Sequence, residues 1–415
     1  MVAARIPPVL SATAALSTFN LLTGLFVSSL WLSGAGAVGG AYLLLRIAAM
    51  RRRKDGDTPE EEDQQPAVRP MAVADRAVDP NDTDALVAQF LAQGRFPLLL
   101  RKQVAGNLTP GQLEKAVEAL HETMALIPEG EVTVGPEWRD EEGETGEGEP
   151  AVPPRVVRVQ QLFLDRYPVT NRQYFEFVAA GGYEQMPLWD PAIWPAVLDF
   201  VDATGEPGPR FWKCGCYLRG QENLPVVGIS WYEAAAYARW LGKRLPTDAE
   251  WIKAGSWPVA VSATSRHQRK YPWGDVMDRS RANLWGSGPE KTVAVDEFPT
   301  GVSVGGVYQL IGNVWEWTAS SFRGIDCHGD PLLLPTPMKS IRGGAFDTYF
   351  DNQATCQFQS GETLLARKHN VGMRCAVGAC DLVLARLVET GENDRSASHE
   401  DGSAAGAPPA EEVQT

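Results

Sequence analysis

Four times along the chain a Ser or Thr is followed, three residues later, by Glu or Gln at the head of an apolar-periodic run. The pairs are Thr109 with Gln112, Thr170 with Gln173, Ser230 with Glu233, and Thr247 with Glu250. In such a box the hydroxyl accepts from the backbone N–H three residues on, and that residue's side chain accepts from the cap's own N–H. The Glu and Gln of these boxes therefore serve as helix caps rather than catalysts. Stops follow soon after, at Gly242 closing "WYEAAAYARWLG" and at Gly255 closing "DAEWIKAG". With 40 Gly, 30 Pro and 13 Trp, the intervals are expected to hold short strands and many loops around an aromatic-rich core.

The ends of the chain have other textures. Residues 6–45 carry no charge, and about twenty apolar residues suffice for one membrane span. One helix over 21–45 fits, as does a tight hairpin turning near 33–36. The cluster "RIAAMRRRK" follows, and the positive-inside rule keeps it cytoplasmic, with the rest of the chain on that side. A cleavable secretory signal is the rival, because "AGA" at 35–37 resembles a cleavage site. The segment is too long for that, and its charge lies after it.

Residues 1–54 hold Arg5, Arg46, Arg51, Arg52, Arg53 and Lys54 and no acid, so the remainder is more acidic than the chain's net −14. So acidic a body argues against nucleic acid as partner. The expected organisation is a membrane anchor with basic flank over 1–54, a charged linker over 55–80, a helical segment over 81–126, a main domain over 127–380 and a disordered acidic tail over 388–415. In the helical segment Asp82 or Thr83 caps a first helix that stops at Gly94. The second begins at Thr109 and carries Leu113, Ala116, Val117, Leu120 and Met124 on one face, to pack on the main domain or on a partner. The run at 138–150 is expected to be an exposed acidic loop.

Six cysteines are too few for a disulfide scaffold. Cys214 and Cys216 are too close for a zinc knuckle, and the five His form no pair at ligand spacing.

The main domain carries, in order, "IPEGEVTVG" from 127, "FLDRYPVTNRQYFEFV" from 163, "LPVVGISWYEAAAYARWLGKRLPTDAEW" from 224 and "YPWGD" from 271. Then come "ANLWG" from 282, "GVYQLIGNVWEWT" from 306, "IRGGAF" from 341 and "VGMRCA" from 371. This series resembles the formylglycine-generating-enzyme, or sulfatase-modifying-factor, domain. The resemblance implies an irregular α+β fold related to C-type lectins. It leaves the membrane segment, linker, 82–126 helices and tail uncovered. Fold does not fix function here. Such domains act as copper-dependent oxidases, as halves of ergothioneine-type sulfoxide synthases, and as binding modules.

The resemblance also implies site residues. The oxidases hold soft Cu(I) on two thiolates five residues apart after the Gly-Gly corner. Those positions fall on Thr348 and Gln353, which cannot replace thiolates, so copper is not expected. Cys356 lies three residues beyond; on a strand it would face away from Gln353. The sulfoxide synthases need histidine-bound iron, and the helical segment offers only His121.

The "GNVWEW" turn implies a structural Ca²⁺ on Asn313, Val314 and Glu316, hard oxygen ligands that suit this ion. The bland alternative makes Asn313 and Glu316 backbone caps. A second calcium position at Asn283 and Leu284 lacks the segment that should bring an Asp. Cys375 matches a position that can be disulfide-bonded, but Ala238 stands where its partner should be, so a buried thiol is expected. Arg342 and Arg374 serve either ligand binding or pairing with core-edge carboxylates.

The combined expectation is a membrane-anchored, cytoplasm-facing, non-oxidase binding module. Its partner is a protein or small polar ligand, bound by Thr348, Tyr349, Asp351, Asn352 and Gln353 with Arg374. The alternative is an enzyme with other chemistry in the same cleft, which a reactive Cys356 would reveal.

Overall fold

The computed structural model describes residues 70–73, 78–79, 81–135, 154–261, 266–323 and 334–384. The uncharged segment 6–45, the acidic run 138–150, the tail 388–415 and most of the linker lie outside them. Among the described residues no helix is long and apolar enough to cross a membrane.

All four boxes form as expected. Helix α1 (Thr83–Ala92) is capped by the Asp82 side chain. Helices α2 (Pro110–Thr123), α3 (Asn171–Ala179), α4 (Trp231–Trp240) and α5 (Asp248–Ser256) each begin with the complete reciprocal box. Helix α5 departs from expectation at its end. It runs through Gly255 and stops when Trp257 turns left-handed at φ +41°.

The strands are short. They are β1 (Met124–Ile127), β2 (Gly130–Val134), β3 (Arg155–Val159), β4 (Leu162–Asp165), β5 (Val259–Ala260), β6 (Arg266–His267), β7 (Trp315–Ser321), β8 (Met338–Arg342), β9 (Ser360–Thr363), β10 (Val371–Gly372) and β11 (Ala376–Gly378). One sheet has the order β1-β4-β11, all antiparallel. A second has the order β10-β7-β8-β9, with β10 parallel to β7 and the rest antiparallel. Strands β2 and β3 form an antiparallel ribbon, as do β5 and β6.

Strand β4 links the helical segment to the main domain. It is central and buried along its length. Side chains alternate across a strand. Phe163 joins Val87, Leu100, Ala116 and Leu120 from the helical segment, while Leu162 and Leu164 join Trp251 and Ile252 on the other side. The 81–126 helices thus pack on the main domain's own sheet. A third cluster, rich in aromatics, holds α3 against α4. Tyr174 stacks on Tyr237 at 4.9 Å, and Phe177 meets Trp240 edge-on at 5.7 Å.

The stretch after the Gly-Gly corner is not a strand. Strand β8 ends at Arg342, and the chain then runs irregularly through a 3-10 turn at Asp351–Gln353 before β9. A face rule for alternating residues does not apply to Gln353 and Cys356.

Candidate functional site

The corner is forced by two glycines. Gly343 and Gly344 have φ +99° and +76°, and a Cβ on Gly343 would stand 2.4 Å from the carbonyl oxygen of Leu310. Only glycine tolerates both demands. Thr348 then closes the turn. Its Oγ1 accepts from the Ala345 N–H at 2.8 Å, and its own N–H donates to the Ala345 carbonyl at 2.9 Å. The side chain is buried. The hydroxyl at the first expected thiolate position therefore braces the backbone and is not presented to a ligand.

The next residues face outward. Tyr349 and Phe350 are 62% and 60% exposed, with their rings edge to face at 5.1 Å. Arg279 holds them in place. It donates to the carbonyls of Trp285 at 2.6 Å and Tyr349 at 2.9 Å, and to Asp351 Oδ1 at 2.6 Å. Trp285 is also exposed. One guanidinium thus fixes a surface bearing three aromatic rings, with exposed Asp351 and Asn352 and half-buried Gln353 beside it. The part played by Arg279 is missing from the sequence reading, because no local pattern links it to a loop 72 residues away.

Cys356 is fully buried, and its N–H donates to the Lys270 carbonyl at 2.9 Å. A side chain so enclosed is a packing element, since a reactive thiolate needs access and positive charge.

Arg342 and Arg374, the two arginines weighed for ligand binding, are both core residues. Arg374 is fully buried. Its Nη2 donates to Glu316 Oε1 at 2.6 Å and its Nε to Oε2 at 2.7 Å, while Nη1 reaches the Asp165 carbonyl. Trp251 Nε1 adds a bond to Glu316 Oε2 at 2.8 Å. Arg374 is therefore removed from the ligand set. Arg342 pairs with Asp248 at 2.8 Å and donates to the carbonyls of Gln357 and Phe358, anchoring the loop beyond the corner.

The same contacts bear on calcium. Both Glu316 oxygens already serve Arg374 and Trp251. Asn313 Oδ1 accepts from Asn283 Nδ2 at 3.1 Å and the Val293 N–H at 2.9 Å, while Asn313 Nδ2 donates to Gln309 and Val293. Val314 is buried as well. A cation on Asn313, Val314 and Glu316 would have to replace the buried Arg374 contacts, so this geometry does not fit it. The turn works as a hydrogen-bonded bracket. Cys375 is a buried free cysteine, and burial, with Asp165 adding to it, pushes its thiol well above the ordinary value.

Residues 109–379 match the sulfatase-modifying factor enzyme 1-like domain. The chain belongs to this family. The match takes in helix α2, which begins ahead of the motifs that carry the resemblance. Inactive C-alpha-formylglycine-generating enzyme 2 of Bos taurus is 32% identical over 287 residues, covering 62% of this chain and 88% of that protein. Formylglycine-generating enzyme of Thermomonospora curvata is 34% identical over 229 residues, 47% of this chain and 70% of that one. Hercynine oxygenase of Mycolicibacterium smegmatis is 32% identical over 208 residues, 48% of this chain. The chain spans 46% of that relative, about half its length. Among solved structures, PvdO from Pseudomonas aeruginosa is similar at 21% identity and a TM-score of 0.38, covering 61% of this chain and 93% of that one.

Proposed function

We propose that this family member is a non-oxidase binding module whose ligand, a protein segment or small polar molecule, docks on the surface formed by Tyr349, Asp351, Asn352 and Gln353. One observation carries the reading. Thr348 is committed to bracing the corner at 2.8 Å from the Ala345 N–H, while the residues beyond it are exposed and held by Arg279. Rigid aromatics beside hydrogen-bonding groups suit recognition, since little freedom is lost on binding. The similarity to a relative named as an inactive formylglycine-generating enzyme supports a non-catalytic role. We further propose that the uncharged segment 6–45 anchors the chain in a membrane with the domain on the cytoplasmic side.

Affinity capture with the intact protein, then with Tyr349→Ala and an Asp351→Ala/Asn352→Ala/Gln353→Ala triple variant, tests the site. Partners should be lost from both variants; partners retained by both would refute the surface. Resistance to carbonate extraction, and protease access to the domain only after the cytoplasmic face is opened, test the anchor.

The second reading is an enzyme with altered chemistry. The similarity to hercynine oxygenase across 46% of that protein favours keeping it. Its sign would be a turnover that fails when the exposed corner residues are replaced.

A further inference from the structure

Residues 70–73, from the stretch expected to link the uncharged segment to the domain, lie against α3. The Ala72 side chain is 0% exposed and joins the aromatic cluster that holds α3 against α4. Polar contacts grip the chain on either side of it. Arg172 Nη2 donates to the Met71 carbonyl at 3.0 Å, and the Val73 N–H donates to Glu176 Oε2 at 2.7 Å. Arg172 and Glu176 stand one turn apart on α3 and pair with each other at 3.0 Å. One guanidinium and one carboxylate thus hold the carbonyl before a small side chain and the amide after it.

The parts of this grip depend on one another. Glu176 is buried, and a buried carboxylate is costly unless it is paired and hydrogen-bonded. The Val73 N–H and the Arg172 guanidinium are among its partners. At position 72 the cluster takes a methyl group, and a longer side chain would overpack it. Met71, by contrast, is 68% exposed, so its side chain is not read. The contact therefore recognises backbone and one small residue. Pro70 and Arg172 line an open concavity of about 370 Å³ with Tyr217 and Asn223, which gives the segment a path to solvent at this end.

We infer that Arg172 and Glu176 form a clamp for a short peptide segment with a small residue between the gripped carbonyl and amide, and that the chain's own residues 70–73 are its resident ligand. Attachment in the same chain gives such a segment an effective concentration on the order of millimolar, which a free peptide must exceed. The segment thus acts as a strap that keeps the clamp filled in the intact chain. The clamp takes a second peptide of the same kind only when the strap lifts. It uses none of the corner residues.

Hydrogen exchange of the full chain, read on proteolytic peptides that contain Val73, tests the grip. The Val73 amide should be protected in the wild type and exchange about tenfold faster or more in Glu176→Ala, which loses a hydrogen bond to a charged group. Glu176→Gln keeps an acceptor and should retain more of the protection. A fluorescent peptide of residues 68–77, titrated to millimolar concentration, tests the site. In an Ala72→Arg chain the strap cannot seat, because a charge would enter the apolar cluster. The peptide should bind that chain about tenfold more tightly than it binds the wild type or Ala72→Arg/Glu176→Ala. Circular dichroism of each variant confirms that it is folded. A Val73 amide unprotected in the wild type, equal exchange in Glu176→Ala, or peptide binding that is equal or absent across the three chains would overturn the inference.

Discussion

A Cβ placed on Gly255 would stand 2.9 Å from the sulfur of Cys356. The bare backbone of α5 is the seat of the residue that stands out in the corner loop. Gly255→Ala should therefore overpack this contact and destabilise the fold by about 1–3 kcal/mol. The readout is a lower urea midpoint at unchanged slope. In a Cys356→Ala background the same change should be neutral or stabilising, because alanine is the better helix former by about 1 kcal/mol. Equal losses in both backgrounds would remove the contact from the account.

The Arg374–Glu316 pair sets the second prediction. Both side chains are 0% exposed. Removing one partner of a buried pair leaves the other charge uncompensated, so Arg374→Met or Glu316→Ala should each cost about 3–5 kcal/mol. The double variant should cost less than the sum, as coupled neighbours do. Added CaCl₂ should leave the wild-type Tm unchanged, because the Glu316 oxygens are already engaged. A calcium-dependent rise in Tm that Glu316→Gln abolishes would restore the calcium reading.

Asp248 gives a pH dependence. Burial acts to raise its carboxyl, but the Arg342 guanidinium and the Thr318 hydrogen bond outweigh it and hold the folded value below the ordinary one. A carboxyl depressed in the folded state contributes stability above its unfolded pKa and loses it as pH falls through the folded value. The loss should begin near the ordinary Asp value, about pH 4. Asp248→Asn should lower stability at neutral pH and flatten the acid limb of a stability–pH curve. An unchanged acid limb would contradict the assignment.

The local grammar of the chain was legible because it is local. A Ser or Thr with its Glu or Gln three residues on needs nothing from the rest of the fold, and all four boxes formed. The two buried faces of β4 were not legible, since the sequence does not say that helices cover one face and α5 the other. Gly255 looked like a stop because a helix-ending glycine and a glycine making room for Cys356 are identical in sequence. Arg374 could be weighed for ligand or core, and its full burial against Glu316 decides for core. Arg279 carried no signal, since its partners come from loops joined only by folding. Thr348 was legible as a lost thiolate; that its hydroxyl braces the corner was not.

The central proposal is that the corner serves as a binding surface and not as a copper site. Competition for Cu(I) between the reduced full chain and a chromogenic Cu(I) chelator tests it most directly. The account expects no stoichiometric copper on the chain, and no difference between wild type and Cys356→Ser. One copper per chain, lost in Cys356→Ser, would contradict it.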